Sequence, residues 1–161
     1  MAIAGAPLEI PLISLINSTP EEVLHALSTV GFIHLELPGT GLTQYDIDRA
    51  FKLSEHIHSV PIEERISFRE DTNGNGYVGM KGSLDERTTK TDLKESYIWG
   101  RYKSNAGESG TSQGLPNSIQ KYRQEIVDFD DKCFEAALRI LDILSQAFGV
   151  RSPPGSDSIL P

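Results

Sequence analysis

The chain has 161 residues, with 15 Lys and Arg against 23 Asp and Glu, a formal net charge of −8. That length suits one domain with a real core and is short for two, and 38% apolar with 24% charged residues is a globular composition, not a disordered one. The acidic balance works against nucleic-acid or anionic-membrane binding, and no apolar run reaches the roughly 20 residues of a membrane span. Met1 to Ala6 holds no basic residue, which argues against a secretory signal and for a cytoplasmic protein. The one cysteine, Cys133, excludes an internal disulfide and any cysteine cage for zinc or iron–sulfur clusters.

Leu8 to Leu15 is short, β-branched and interrupted by Pro11, which reads as an edge strand. Thr19-Pro20-Glu21-Glu22 then opens a helix. Thr19 is a cap, Pro20 suits the first helical position, and Glu22 completes a capping box. Val23, Leu24, Leu27 and Val30 recur at helical spacing, and Gly31 stands where a left-handed helix stop belongs. Phe32 to Leu37 reads as a strand with Ile33, Leu35 and Leu37 on an apolar face and Phe32, His34 and Glu36 on a mixed one.

A second helix begins near Thr43 and ends before Pro61, with a stripe of Ile47, Ala50, Phe51, Ser54 and Ile57. A short helical turn, Ile62 to Ser67, follows. The segment from Thr72 to Gly82 holds four glycines in nine positions counted from Gly74, which favours close backbone approach over regular helix. Glu95 to Gly100 is aromatic and strand-like, and Lys103 to Gly114 reads as a surface loop. From Leu115-Pro116-Asn117 one long amphipathic helix runs through Ile119, Tyr122, Ile126, Phe129, Cys133, Ala137, Ile140, Leu144 and Phe148 to Gly149. The expected fold is α+β: helices packed on a few short strands, ending in one long amphipathic helix, with no complete jelly-roll barrel. Residues 1–7 are expected to be a flexible N-terminus, 8–150 the domain, and 151–161 a loose proline-rich tail.

In this order, Ile10-Pro11-Leu12-Ile13, Val30-Gly31-Phe32-Ile33-His34-Leu35 and Ser59-Val60-Pro61-Ile62-Glu63-Glu64-Arg65 resemble the N-terminal domain of isopenicillin-N-synthase-like, 2-oxoglutarate/Fe(II)-dependent oxygenases. The Gly76-Tyr77 segment, Asp92-Leu93-Lys94-Glu95-Ser96-Tyr97 and the long final helix continue the match. The resemblance implies an oxidoreductase, a dioxygenase of small-molecule or secondary metabolism. It also implies a C-terminal jelly roll, beyond these residues, that carries the iron-binding His-x-Asp and distant His and the Arg-x-Ser that holds 2-oxoglutarate. The chain alone is then expected to be catalytically incompetent, with no catalytic residue and no metal ligand of its own. Fe(II) and 2-oxoglutarate are cofactors only of a full-length member. By the same resemblance the loop at Tyr77 leads to the substrate mouth, where Tyr77, Lys81 and Trp99 are the candidate substrate-binding residues. The alternative for Tyr77 is packing on the sheet, and for Tyr97 and Trp99 core packing.

Local motifs add little chemistry. His34-Leu35-Glu36 puts two donors on one side of a strand, but no histidine follows His58 to supply a third, and His56 and His58 at i and i+2 on a helix face apart. Arg65-Ile66-Ser67 has the letters of an oxoglutarate-binding pair in the wrong segment and reads as helix surface. Gly74-Asn75-Gly76-Tyr77-Val78-Gly79 spells G-x-G-x-x-G, yet polar residues precede it and no helix signal follows, against a dinucleotide fold. Asp128, Asp130, Asp131 and Glu135 read as a solvated helix face, and Cys133 as an inert thiol on the apolar stripe. Three functions fit: the oxygenase module, with a small-molecule substrate and a protein partner over its exposed apolar face; a regulatory subunit of a full-length oxygenase; or a metal-free isomerase or cyclase.

Overall fold

The computed structural model describes residues 9–69, 74–79, 94–100 and 113–150. The terminal segments expected to be loose, most of the 103–114 loop and Lys81 lie outside the described residues. The elements are β1 (Leu12–Ile13), α1 (Pro20–Thr29), β2 (His34–Leu35), α2 (Gln44–Ser59), α3 (Ile62–Ile66), β3 (Gly76–Val78), β4 (Ser96–Ile98) and α4 (Arg123–Ala147), the last entered through a 3-10 turn at Gln120–Tyr122. The fold is α+β, and among the described residues the strands make two separate two-stranded sheets and no closed barrel. The chain divides into two compact units, Met1–Ile47 with Asp131–Pro161, and Asp48–Asp130.

In the first unit, β1 and β2 pair in parallel, Leu12 opposite His34 and Ile13 opposite Leu35. Both strands are shorter than their sequence signals. Ile13, Val23 and Ala26 form the core, with Leu27, Ile33, Leu35, Ile143 and Leu144 against them. Alternation is obeyed: Phe32 and His34 face outward while Ile33 and Leu35 pack inward. The capping box forms as read. Glu22 N–H donates to Thr19 Oγ1 at 3.2 Å and Thr19 N–H to Glu22 Oε2 at 2.8 Å. Thr19→Ala removes one side of this exchange and is expected to cost about 1 kcal/mol in urea unfolding; an unchanged midpoint would show that the cap is idle. Arg139 of α4 donates to the Gly39 carbonyl, fastening α4 to the turn that follows β2.

The start of α2 uses an acidic version of the same cap. Asp46 Oδ2 accepts Thr43 N–H at 2.8 Å and the Thr43 hydroxyl at 2.7 Å, while Lys132 donates to Asp46 Oδ1 at 2.7 Å. The Lys132 ammonium first, and Thr43 second, pull the Asp46 carboxyl from 3.8 to about 2. A carboxyl held lower in the folded than in the unfolded state stabilises fully above the unfolded value and loses that stabilisation as pH falls through the folded one. Asp46→Asn should therefore lower the urea midpoint at pH 7, and its gap from the parent should narrow between pH 4 and pH 2. A gap of constant width over that range would contradict the assignment.

In the second unit, Leu53, Ile57, Val60, Ile119 and Ile126 form the core, and Tyr97, Trp99 and Tyr122 pack against it. This corrects the sequence-based stripe of α2. Phe51 is 69% exposed and Ser54 is exposed, while Leu53, which the periodicity passes over, is buried. The stripe of α4 passes likewise through Ala136, with Ala137 and Phe148 exposed. Arg49 grips Glu125 with two bonds, Nε to Oε2 at 2.6 Å and Nη2 to Oε1 at 3.1 Å. Two elements of this unit position the candidate site: α3, and the antiparallel β3–β4 pair with Tyr77 opposite Tyr97.

Candidate functional site

The glycine-rich segment, irregular by its sequence, contains β3. The physical reason is Gly76. Its φ is +124°, and a Cβ there would stand 2.7 Å from the Phe68 carbonyl oxygen and 2.8 Å from that of Arg69. Only a residue without Cβ lets the strand approach the chain leaving α3 this closely. Tyr77 N–H then donates to Phe68 O at 2.7 Å, and Arg69 forms a parallel bridge with Tyr77. A strand inside the G-x-G-x-x-G letters is incompatible with a phosphate-cradling turn that opens a helix.

The docking buries Tyr77, which is 5% exposed. Its hydroxyl donates to Glu95 Oε2 at 2.8 Å, and Arg65 Nη1 donates to the same oxygen at 2.8 Å. The Arg65 guanidinium lies over the Tyr77 ring, 5.1 Å from its centroid. Burial first, then the Glu95 carboxylate, raises the Tyr77 phenol above its ordinary value. The Tyr77 hydroxyl first, then Arg65, lowers the Glu95 carboxyl. Arg65 is thus no helix-surface residue: its side chain is 11% exposed, against 26% for Glu95. Its Nε is buried without a partner, a state that costs about 1–3 kcal/mol.

The far end of the hairpin is held from another direction. Gln113 offers its side chain as a substitute strand, accepting Gly100 N–H at Oε1 (2.9 Å) and donating to the Ile98 carbonyl from Nε2 (2.7 Å). The Tyr97 hydroxyl donates to Gly114 O at 2.7 Å, and the Tyr97 and Trp99 rings stand 4.8 Å apart at 35°. Of the three candidate substrate-binding residues, Tyr77 lies on β3 and Trp99 directly follows β4, its partner strand. Lys81 lies outside the described residues. Sequence reasoning misses Arg65 and Glu95 as a pair. Glu95, Tyr97 and Trp99 alternate along the segment that contains β4, which is the one available signal; the partnership with Arg65, 30 residues away, has none.

His34, His56 and His58 have different surroundings. His34 is exposed on β2. His56 meets the Tyr122 ring edge-on at 5.6 Å, and His58 Nδ1 lies 2.8 Å from the Ser54 carbonyl. Among the described residues no three His, Cys, Asp or Glu side chains are grouped so as to hold a metal ion. The donors described do not group as a ferrous centre of the two-histidine, one-carboxylate kind would need, and Arg65 donates to Glu95. Gln124 donates to Asp128 at 2.7 Å on the acidic face of α4, and Cys133 is half-buried. No helix among the described residues is long and apolar enough to cross a membrane.

The described residues thus combine helices with two short strand pairs, one parallel and one antiparallel, in an α+β arrangement. The family described as non-haem dioxygenase in morphine synthesis, N-terminal, matches residues 10–121, and the chain belongs to that family. It is 34% identical over 155 residues to the UPF0676 protein C1494.01 of Schizosaccharomyces pombe, covering 91% of this chain and 46% of that protein. Among solved structures, a full-length Neurospora crassa protein in complex with alpha-KG superposes with a TM-score of 0.69 at 19% identity, over 88% of this chain and 47% of that one. A 2OG-Fe(II) oxygenase family protein from Caulobacter crescentus gives 0.70 at 17% identity, over 88% and 49%. The chain thus spans about half the length of the proteins it matches.

Proposed function

We propose that these 161 residues are the N-terminal module of a 2-oxoglutarate/Fe(II)-type oxygenase of small-molecule or secondary metabolism, cytoplasmic, and that they do not turn over substrate alone. The observation that carries this reading is the family match over residues 10–121 joined to coverage of about half of each relative. The lack of a three-donor group among the described residues is compatible with it. Iron and 2-oxoglutarate would be held outside the described residues, and this module would shape access to them. Tyr77, Lys81 and Trp99 are proposed to line that access, with the β3–β4 hairpin supporting Tyr77 and Trp99.

In the first unit, α4 leaves Leu138 and Leu141 exposed, with Phe148 and Val150 beyond its end. Leu138 and Leu141 lie three apart on one helix face. The proposed occupant of this face is the other half of an oxygenase polypeptide, because the chain covers only about half of each relative's length. The test is to titrate the purified chain with Fe(II) and 2-oxoglutarate and to follow metal binding and succinate release. No succinate is expected. Stoichiometric iron with sustained succinate release from these residues alone would overturn the reading.

A further inference from the structure

We infer that Arg65 is a positioning residue for this mouth: by sharing one oxygen of Glu95 with the Tyr77 hydroxyl, it ties α3 to the β3–β4 hairpin and sets where Tyr77 and Trp99 stand. The inference rests on the proposed role of Tyr77 and Trp99 in substrate access. Its geometric basis is independent of that role.

Three observations converge. Arg65 Nη1 and Tyr77 Oη both donate to Glu95 Oε2, each at 2.8 Å, so one atom holds two elements. The guanidinium covers the Tyr77 ring as well, so Arg65 fixes both the ring and the acceptor of its hydroxyl. Its Nε is left unpaired in a buried position, so the side chain is oriented toward Glu95 and Tyr77 at the expense of its own hydrogen bonding. Tyr77 lies opposite Tyr97, whose ring touches Trp99, so a displacement at Tyr77 is passed across the strand pair to Trp99. A second side chain of α3 braces the block, since Glu64 Oε1 accepts Asn117 N–H at 2.8 Å.

The arrangement depends on the charge of Glu95. Arg65 faces it from α3, Tyr77 from β3, and the charge of His58 reaches it from the end of α2; the charge of Arg69 reaches Tyr77. Protonating Glu95 removes the anion that holds Arg65 and weakens the acceptor of the Tyr77 hydroxyl in the same step. The folded-state carboxyl is depressed, so the tie persists through the ordinary carboxylate range and releases below it.

The chain carries one tryptophan, Trp99, which makes the release observable without substrate. The experiment is an acid titration of the 161-residue chain, following Trp99 emission beside far-UV circular dichroism. The parent is expected to show an emission change below the ordinary carboxylate range while helical signal persists. Arg65→Ala should move that midpoint upward by about one pH unit. Arg65→Lys, which keeps the charge but loses the planar fork, should recover part of the shift. Glu95→Gln should abolish the emission change over this range. A purely structural Arg65 would lower thermal stability without moving the midpoint. An Arg65→Ala midpoint equal to the parent's overturns the inference. So does a full transition in Glu95→Gln, which decides the matter alone if Arg65→Ala does not fold. Because no substrate, iron or oxoglutarate is present, failure here is distinct from failure of the proposed function.

Discussion

Gly76→Ala is expected to destabilise the chain by about 3 kcal/mol, read as a lowered urea midpoint and loss of the near-ultraviolet signal of the hairpin aromatics. Two penalties act together. The φ of +124° lies where L side chains rarely go, and the added Cβ would stand 2.7 Å from one carbonyl oxygen and 2.8 Å from the next. Those atoms are backbone and cannot swing aside. Relief would require β3 to lift from the exit of α3, breaking the Tyr77 N–H bond to Phe68 and drawing Tyr77 away from Glu95. Gly31 supplies the control. It is also left-handed, with φ +79°, but nothing lies within 4 Å of its added Cβ. Gly31→Ala should therefore cost only about 1 kcal/mol, the conformational part alone. Equal losses at the two positions would mean that the close approach at Gly76 contributes nothing.

Ile119→Ala should cost about 2–5 kcal/mol, as expected when a fully enclosed branched side chain leaves a cavity. Ile119 is 0% exposed and shares a cluster with Leu53, Ile57, Val60 and Ile126, so its neighbours come from α2, from Val60 just past its end, and from α4. No single element can close the space by shifting. The comparison that gives the result meaning is Phe51→Ala. Periodicity places Phe51 on the apolar stripe of α2, yet it is largely exposed, and its truncation should change stability by no more than about 0.5 kcal/mol. A larger loss at Phe51 than at Ile119 would restore the stripe read from periodicity and refute the packing described above.

The difference between these residues shows where sequence reading works and where it stops. The capping box of Thr19 and Glu22, the left-handed stop at Gly31 and the helical turn after Pro61 all appear as read. Each involves groups within a few residues of one another, so the letters contain both partners. Periodicity misplaces the α2 stripe because Phe51 and Leu53 are both apolar, and hydrophobicity alone does not say which direction will meet Ile119 and Ile126. Arg65 escapes a sequence reading for a related reason. A five-residue helix has no stripe long enough to define an inner face, and its partner lies on the approach to a strand 30 positions further on.

Family membership, the α+β character, the start of α1 and the presence of a long final helix were determined by the sequence alone, whereas that helix begins at Arg123, later than its sequence signal. Capping, periodicity and ordered motif sets are properties of short windows or of their succession. Only the tertiary structure decided that a glycine-rich segment holds a strand, that Tyr77 is buried under a guanidinium, and that one carboxylate oxygen joins α3 to the hairpin. Those features depend on which distant atoms come within hydrogen-bonding reach of one another, and that reach is set by the packing of every element between them.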